Sequence, residues 1–203
     1  VQTVASTFDT KNYGSSKTVT VNSITLADGT NGGLVANYSI SPGQTTTAHI
    51  SKKPLTVSSI SASNKTYDGN DTATTTISLS GFIGTETVIS SNLSSFNNKN
   101  VGIGKTVTVN SITLSDGTNG GLATNYSVPI GQTTTANITP KALSVSGITA
   151  SNKIYDSNAV ATLDTTSLIY NGKVAGDDFT GTYTGAFNNK NAGTGKTVTI
   201  TPT

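Results

Sequence analysis

Asn64-Lys65-Thr66-Tyr67-Asp68-Gly69 returns as Asn152-Lys153-Ile154-Tyr155-Asp156-Ser157, 88 positions later. The flanking residues return with it. Phe8–Lys53 aligns with Phe96–Lys141 at the same offset, with 32 identities in 46 positions, and Leu55–Asp71 aligns with Leu143–Ala159. A fixed period of this kind is the signature of a repeat architecture. The 203 residues therefore hold 203/88, or about 2.3, copies: a partial copy at 1–53, a complete copy at 54–141 and a partial copy at 142–203. Phe96-Asn97-Asn98-Lys99-Asn100 returns as Phe187-Asn188-Asn189-Lys190-Asn191 at an offset of 91, which predicts a three-residue insertion near Asn171–Asp178.

Composition fixes the class. Hydrophobic residues make up 33% and charged residues 11%, both low for a globular chain. Thr, Ser, Asn and Gly fill the difference, which suits solvated strands and tight turns and suits long helices poorly. Net charge is +2 with acids and bases interspersed. No basic stripe exists to neutralise phosphates, so nucleic acid is not an expected partner. No apolar run approaches the length of a membrane span. Cysteine is absent, which excludes disulfides and thiolate metal sites and points weakly to an exported protein.

Within a copy the pattern reads as about seven short strands separated by turn signals, an all-β fold. Spacings of this kind predict tandem antiparallel β-sandwich modules of immunoglobulin-like type. A β-grasp arrangement, a sheet crossed by one short helix, is the alternative. Strands are expected at Ala73–Leu79, Thr87–Leu93, Tyr126–Ile130 and Thr133–Ile138. Apolar alternation slips by one residue between Val57 and Ile60, and again between Val109 and Ile112. Such slips predict bulges near Ser58-Ser59 and Asn110-Ser111. Asp116-Gly117-Thr118-Asn119-Gly120-Gly121 is turn chemistry, with one helical turn expected at Leu122–Asn125 and at Leu34–Asn37. Prolines at the seams, Pro54 and Pro140, should end or redirect a ladder. Only two or three residues separate copies, too few for a flexible linker.

The Tyr-Asp-Gly element, followed by Phe-Asn-Asn-Lys-Asn-x-Gly-x-Gly-Lys-Thr-Val-Thr-Val at Phe96–Val109, resembles the YDG-domain repeats of large bacterial surface and secreted proteins, including filamentous-haemagglutinin-like adhesins. Asn125-Tyr126 and Ile138–Lys141 belong to the same pattern. The resemblance implies extracellular location and tandem arrays; it does not imply a defined ligand. The third copy departs from it with Ser157 in place of Gly69. A left-handed conformation there would make Ser157 a weakening residue.

Few residues suggest chemistry. His49 is the only histidine, and Asn137 replaces it in the next copy, so Ser-His-Asp and Cys-His catalysis cannot be assembled. Asp68, Asn70 and Asp71 resemble part of an oxygen-rich calcium loop, but the full pattern is absent and the third copy loses a carboxylate at Ala159. The simpler reading is a turn in which Asp68 caps amides and Gly69 takes positive φ. Tyr67 and Tyr155 are expected to pack with their hydroxyls on backbone, as in a tyrosine corner. Asp156, Phe96 and Phe187 complete the structural set. Asp177-Asp178 is expected to be solvated. The recurring lysines Lys65/Lys153, Lys99/Lys190 and Lys17/Lys105/Lys196, with Asn37/Asn125, have the residue types of a Lys–Asn isopeptide bond. Stems along strands with solvated heads explain them more simply. Thr45–Thr47 and Thr133–Thr135 suit a solvated strand face as well as an ice- or glycan-binding one. Gly102–Thr106 and Gly193–Thr197 lack phosphate-loop spacing and precede a strand where a helix is required.

The expectation is a non-enzymatic stalk or filament segment that needs no cofactor, partnered head to tail by copies of itself. The alternative is an adhesive module whose loops bind glycan or host protein. The chain begins and ends inside repeats, which suggests a window on a longer filament, half-copies that complement each other between chains, or an arbitrary boundary.

Overall fold

The computed structural model describes residues 3–203. The fold is all-β, a sandwich of small sheets. The helix crossing expected of a β-grasp is replaced by two three-residue 3-10 turns, Val35–Asn37 and Ala123–Asn125, the only helical elements among the described residues.

In the first copy, Thr3–Phe8, Gly14–Thr25 and Thr45–Ile50 form an antiparallel sheet in that order. The middle copy holds a five-stranded sheet in the order Lys65–Thr66, Thr133–Thr139, Gly102–Asp116, Val88–Phe96, Thr72–Ala73. It also holds an antiparallel hairpin of Thr56–Ala62 with Thr75–Ser80. Two of its pairings are parallel: Tyr126–Ser127 with Lys53–Pro54, and Ile138-Thr139 with Lys65-Thr66. Three of the four predicted strands are present, with Tyr126–Ser127 shorter and Val88–Phe96 longer than expected; Ala73–Leu79 is instead two strands, Thr72–Ala73 in the five-stranded sheet and Thr75–Ser80 in the hairpin.

The bulge expected near Ser58-Ser59 is present. Between Thr56–Ala62 and Thr75–Ser80, register jumps from Val57 to Ser59, leaving Ser58 unpaired. In the first copy the jump faces Asn22, the counterpart of Asn110. The displaced amide is used: Asn22 Nδ2 donates to Thr7 Oγ1 at 3.0 Å and Asn110 Nδ2 to Ser95 Oγ at 2.9 Å. At the Asp-Gly-Thr-Asn-Gly-Gly turns, Asn31 and Asn119 both take φ 56°, followed by Gly32 and Gly120 at 82° and 83°. Asn tolerates this region best among side-chain-bearing residues.

The insertion lies elsewhere than expected. Ala62 pairs Thr75 and Ala150 pairs Leu163, an offset of 88, whereas Thr56 pairs Ser80 and Ser144 pairs Asn171, an offset of 91. The three added residues therefore fall within Thr165–Leu168, not at Asn171–Asp178. They form a turn, with Leu168 N–H on Thr165 O at 3.1 Å and Asp164 Oδ1 accepting Thr166 N–H at 2.9 Å. The inserted turn splits the hairpin strand into Leu163–Asp164 and Ile169–Asn171.

The chain divides into two compact units. The first comprises Val1–Ala62, Ala73–Ser95 and Val107–Thr134. Its core residues are Leu55, Ala73, Val107, Val109 and Tyr126, and Phe82 meets the Tyr126 ring edge to face at 5.6 Å. The second comprises Ser63–Thr72, Phe96–Thr106 and Thr135–Thr203, and buries Phe96, Ala136, Ile138 and Ala161.

Candidate functional site

The repeated Asn-Lys-x-Tyr-Asp loop is built around its lysine. Lys65 Nζ lies 2.8 Å from Asp68 Oδ1. It donates to Asn70 O and Asn70 Oδ1, both at 2.9 Å, and to Thr72 O at 3.0 Å. Asn70 Oδ1 also accepts Thr72 N–H at 2.9 Å. Lys153 repeats the set with Asp156 Oδ1 at 2.7 Å, Asn158 O at 3.0 Å, Asn158 Oδ1 at 2.8 Å and Val160 O at 3.0 Å. Each ammonium sits 5.8 Å from a ring centroid, Phe96 or Phe187. A loop this tight leaves carbonyls that no ladder can satisfy. One long side chain with three donors satisfies them together. This is why lysine, Asp three later and Asn five later travel as a unit. The expectation of solvated heads fails here: the Lys65 and Lys153 side chains are only 17% and 25% exposed.

The lysines hold the Asp68 and Asp156 carboxyls below the usual carboxylate range. The Asp68 and Asn70 side-chain oxygens that suggested calcium face this ammonium, while Asp71 is exposed outside the set. Among the described residues no three His, Cys, Asp or Glu side chains converge on a metal position. Lys65 Nζ meets the Asn70 side chain as a hydrogen-bond donor to its Oδ1.

A second lysine closes the following loop. Lys105 Nζ donates to Asn98 Oδ1 at 2.7 Å, Lys196 to Asn191 O at 2.8 Å, and Lys17 lies 2.7 Å from Asp9 Oδ1. His49 Nδ1 accepts Ser16 N–H at 3.4 Å, while its counterpart Asn137 accepts Gly104 N–H through Oδ1 at 2.8 Å. Imidazole and amide thus offer an acceptor at the same place, beneath backbones of φ 56° and 62°.

Tyr67 departs from the tyrosine-corner expectation. Its hydroxyl donates to Asp177 Oδ1 of the third copy at 3.1 Å, not to backbone, and that bond raises the phenol above its ordinary value. Asp177 is therefore a seam residue rather than a solvated one. Beside it, a Cβ on Gly69 would lie 2.6 Å from Val174 Cγ1, and Gly69 takes φ 85°. Glycine is needed there for both reasons. At the other seam, Lys11 of the first copy lies 3.2 Å from Glu86 Oε1 of the middle copy. Tyr126 donates to Glu86 Oε2 at 2.6 Å, and Tyr13 N–H donates to Asn125 Oδ1 at 2.8 Å. The Tyr126 hydroxyl, then Lys11, hold Glu86 below its ordinary value.

With the insertion at Thr165–Leu168, Glu86 and Asp177 occupy the same position of the repeat, since 86 + 91 = 177. Both copies thus offer an acid to the loops of the copy before. Sequence comparison misses it because the offset changes from 88 to 91 and Glu changes to Asp. Tyr155, the counterpart of Tyr67, is 58% exposed.

These loops and seams describe a tandem β-repeat whose repeated side chains brace its own turns and its neighbours. Residues 51–136 and 139–203 match the YDG domain, two matches that start 88 residues apart. The chain belongs to the YDG domain family. No curated protein and no solved structure matches it.

Proposed function

We propose that the chain is a non-catalytic structural segment, a stalk or filament portion of a bacterial extracellular repeat protein or adhesin. It joins copies head to tail and needs no cofactor. The reading is supported chiefly by the recurring seam: loops of one copy reach an acid at one fixed position of the next, through Lys11 to Glu86 and Tyr67 to Asp177. Seams of this kind transmit force between copies, and stability becomes a sum of copy and neighbour contributions. The family membership and the absence of cysteine agree with an exported array.

Pulling the chain by its two ends tests this. The middle copy should yield in one discrete step that releases about 300 Å, the extended length of 88 residues. Gradual extension without a step would refute a load-bearing role. Saturable binding of the intact chain to a glycan array, lost on changing exposed loop residues, would replace the stalk with the adhesive reading.

A further inference from the structure

The third copy carries a pair of tyrosines that the middle copy lacks. Tyr170 and Tyr183 stand where Leu79 and Asn92 stand, at the offset of 91. Tyr170 lies on Ile169–Asn171 and pairs Val145, as Leu79 pairs Val57 in the middle hairpin. Tyr183 opens the sheet strand Tyr183–Phe187. Leu79 and Asn92 are half-buried in the complete middle copy too, so the position is an interior one within the repeat.

The two phenols meet over Gly181. A Cβ there would lie 2.6 Å from Tyr170 Oη, 2.9 Å from Tyr183 Oη and 3.3 Å from Tyr183 Cε2. The Phe179 ring, 4.8 Å away between centroids and tilted by 58°, backs the Tyr170 ring. Tyr170 Oη is buried without a hydrogen bond of good geometry, and its approach raises the Tyr183 phenol above its ordinary value. A buried hydroxyl left in this way requires an explanation, and redox chemistry is one. Tyr183 is within reach of small molecules, because it lines an open groove with Thr165, Thr182 and Thr184. The chain has no Cys, Met or Trp, so the usual oxidation sinks at sulfur are missing and an oxidising equivalent is left to tyrosine.

We propose that Tyr170 and Tyr183 are an oxidative cross-linking site, joined by haem-activated peroxide as a diaryl ether between Tyr170 Oη and Tyr183 Cε2. Each phenol gives up one electron and one proton to the oxidant. The Tyr170 phenoxyl oxygen bonds Tyr183 Cε2, the carbon next to the one that bears the hydroxyl. The hydrogen on Cε2 then leaves as a proton and the Tyr183 oxygen takes one back, which restores that hydroxyl. Overall the protein loses two hydrogen atoms and one hydrogen peroxide becomes two waters. The link closes the loop from Tyr170 to Tyr183. That loop carries Asp177, which accepts the Tyr67 hydroxyl, and Val174, which faces Gly69. The cross-link thereby pins the seam from the third-copy side. The chemistry rests on the geometry of the pair and is independent of the stalk role.

The test treats the intact 203-residue chain, in dilute solution, with haem and hydrogen peroxide. The monomer should lose the mass of two hydrogen atoms, and digestion should yield a linked peptide pair that joins Tyr170 to Tyr183. The treated monomer should melt roughly 5 °C or more above the untreated one, because closing a loop restricts the unfolded chain. Tyr183→Phe keeps the ring and removes the hydroxyl. It should keep the sheet signal in circular dichroism and form no such link, and Tyr170→Phe should behave alike. Coupling confined to exposed Tyr38 or Tyr155, seen as linked dimers without the internal pair, would overturn the proposal. So would a monomer mass loss that persists in Tyr183→Phe, or a chain of unchanged mass in a tube where free tyrosine is oxidised.

Discussion

The same positions of the repeat have different fates in the middle copy and its neighbours. Phe96 is 2% exposed, and Phe8 is 41%. Tyr126 is 2% exposed, and Tyr38 is 70%; Leu55 is 3%, and Leu143 is 41%. The residues are identical in each pair, so the local sequence does not set burial. The first copy carries only the later part of the repeat and the third only the earlier part. The first copy has no strand at Tyr38-Ser39, where the middle copy has Tyr126–Ser127, and the third has none at Lys153-Ile154, where the middle copy has Lys65–Thr66; both leave large apolar residues partly exposed. In the middle copy one sheet joins strands from both parts of the repeat, Lys65–Thr66 beside Thr133–Thr139, while each loop is braced by its own residues.

The sharpest way to break this comparison is to truncate paired residues. Phe96→Ala should cost about 4 kcal/mol, because a fully buried ring leaves a cavity. Phe8→Ala should cost about 1 kcal/mol or less, in line with its exposure. Urea unfolding followed by hydrogen exchange at the two sheets would measure both. Equal costs would mean the first copy is as well packed as the middle one.

The next largest effect concerns the loops, which should behave alike in both copies. Lys65→Met and Lys153→Met should each cost about 2 kcal/mol, by stripping a charged donor from turn carbonyls and an adjacent carboxylate. A much smaller loss at Lys153 would show that the loop depends on the surrounding core after all. Intact mass should show no loss of ammonia, since the lysines serve as hydrogen-bond donors.

Gly69 and Ser157 separate the copies again. Both are left-handed, at φ 85° and 63°. Ser157→Gly should stabilise the third copy by about 1 kcal/mol in thermal unfolding. Gly69→Ala should cost about that much from backbone strain, and the new methyl group should also displace Val174. Loss of the Tyr67–Asp177 bond, visible in the tyrosine hydroxyl resonance, would report the displacement.

The smallest effect is pH dependence. Asp68, Asp156 and Glu86 have lowered values in the folded chain, so the folded state binds these protons less tightly than the unfolded one. Their contribution is complete above about pH 4–4.5 and is lost as pH falls below that. Tyr67 and Tyr126 are raised by Asp177 and Glu86, so their contribution holds below about pH 10 and is lost as pH rises further. Melting curves across pH should show both limbs, and Lys65→Met should flatten the acid one.

Much of the loop chemistry is legible in the order of the residues. The Asp-Gly-Thr-Asn-Gly-Gly turns and the slips at Ser58 and Asn110 are short-range consequences of side-chain type and period. The lysine cage is not legible there. Lys65 and Asn70 are visible as recurring letters, but whether an ammonium turns outward or into its own loop depends on where the backbone carbonyls point. The seam acids are hidden because their alignment depends on where the insertion falls, and pairing register alone places it at Thr165–Leu168.

By itself the sequence determined the repeat, its all-β character, its turns and its family, because these follow from period, composition and local backbone preference. Only the tertiary structure decided that Lys65 faces inward, that Tyr67 reaches the next copy through Asp177, and that identical phenylalanines are buried in one copy and open in another. The physical reason is that hydrogen-bond partners and apolar cover come from segments far apart in the chain, whose meeting no local pattern encodes.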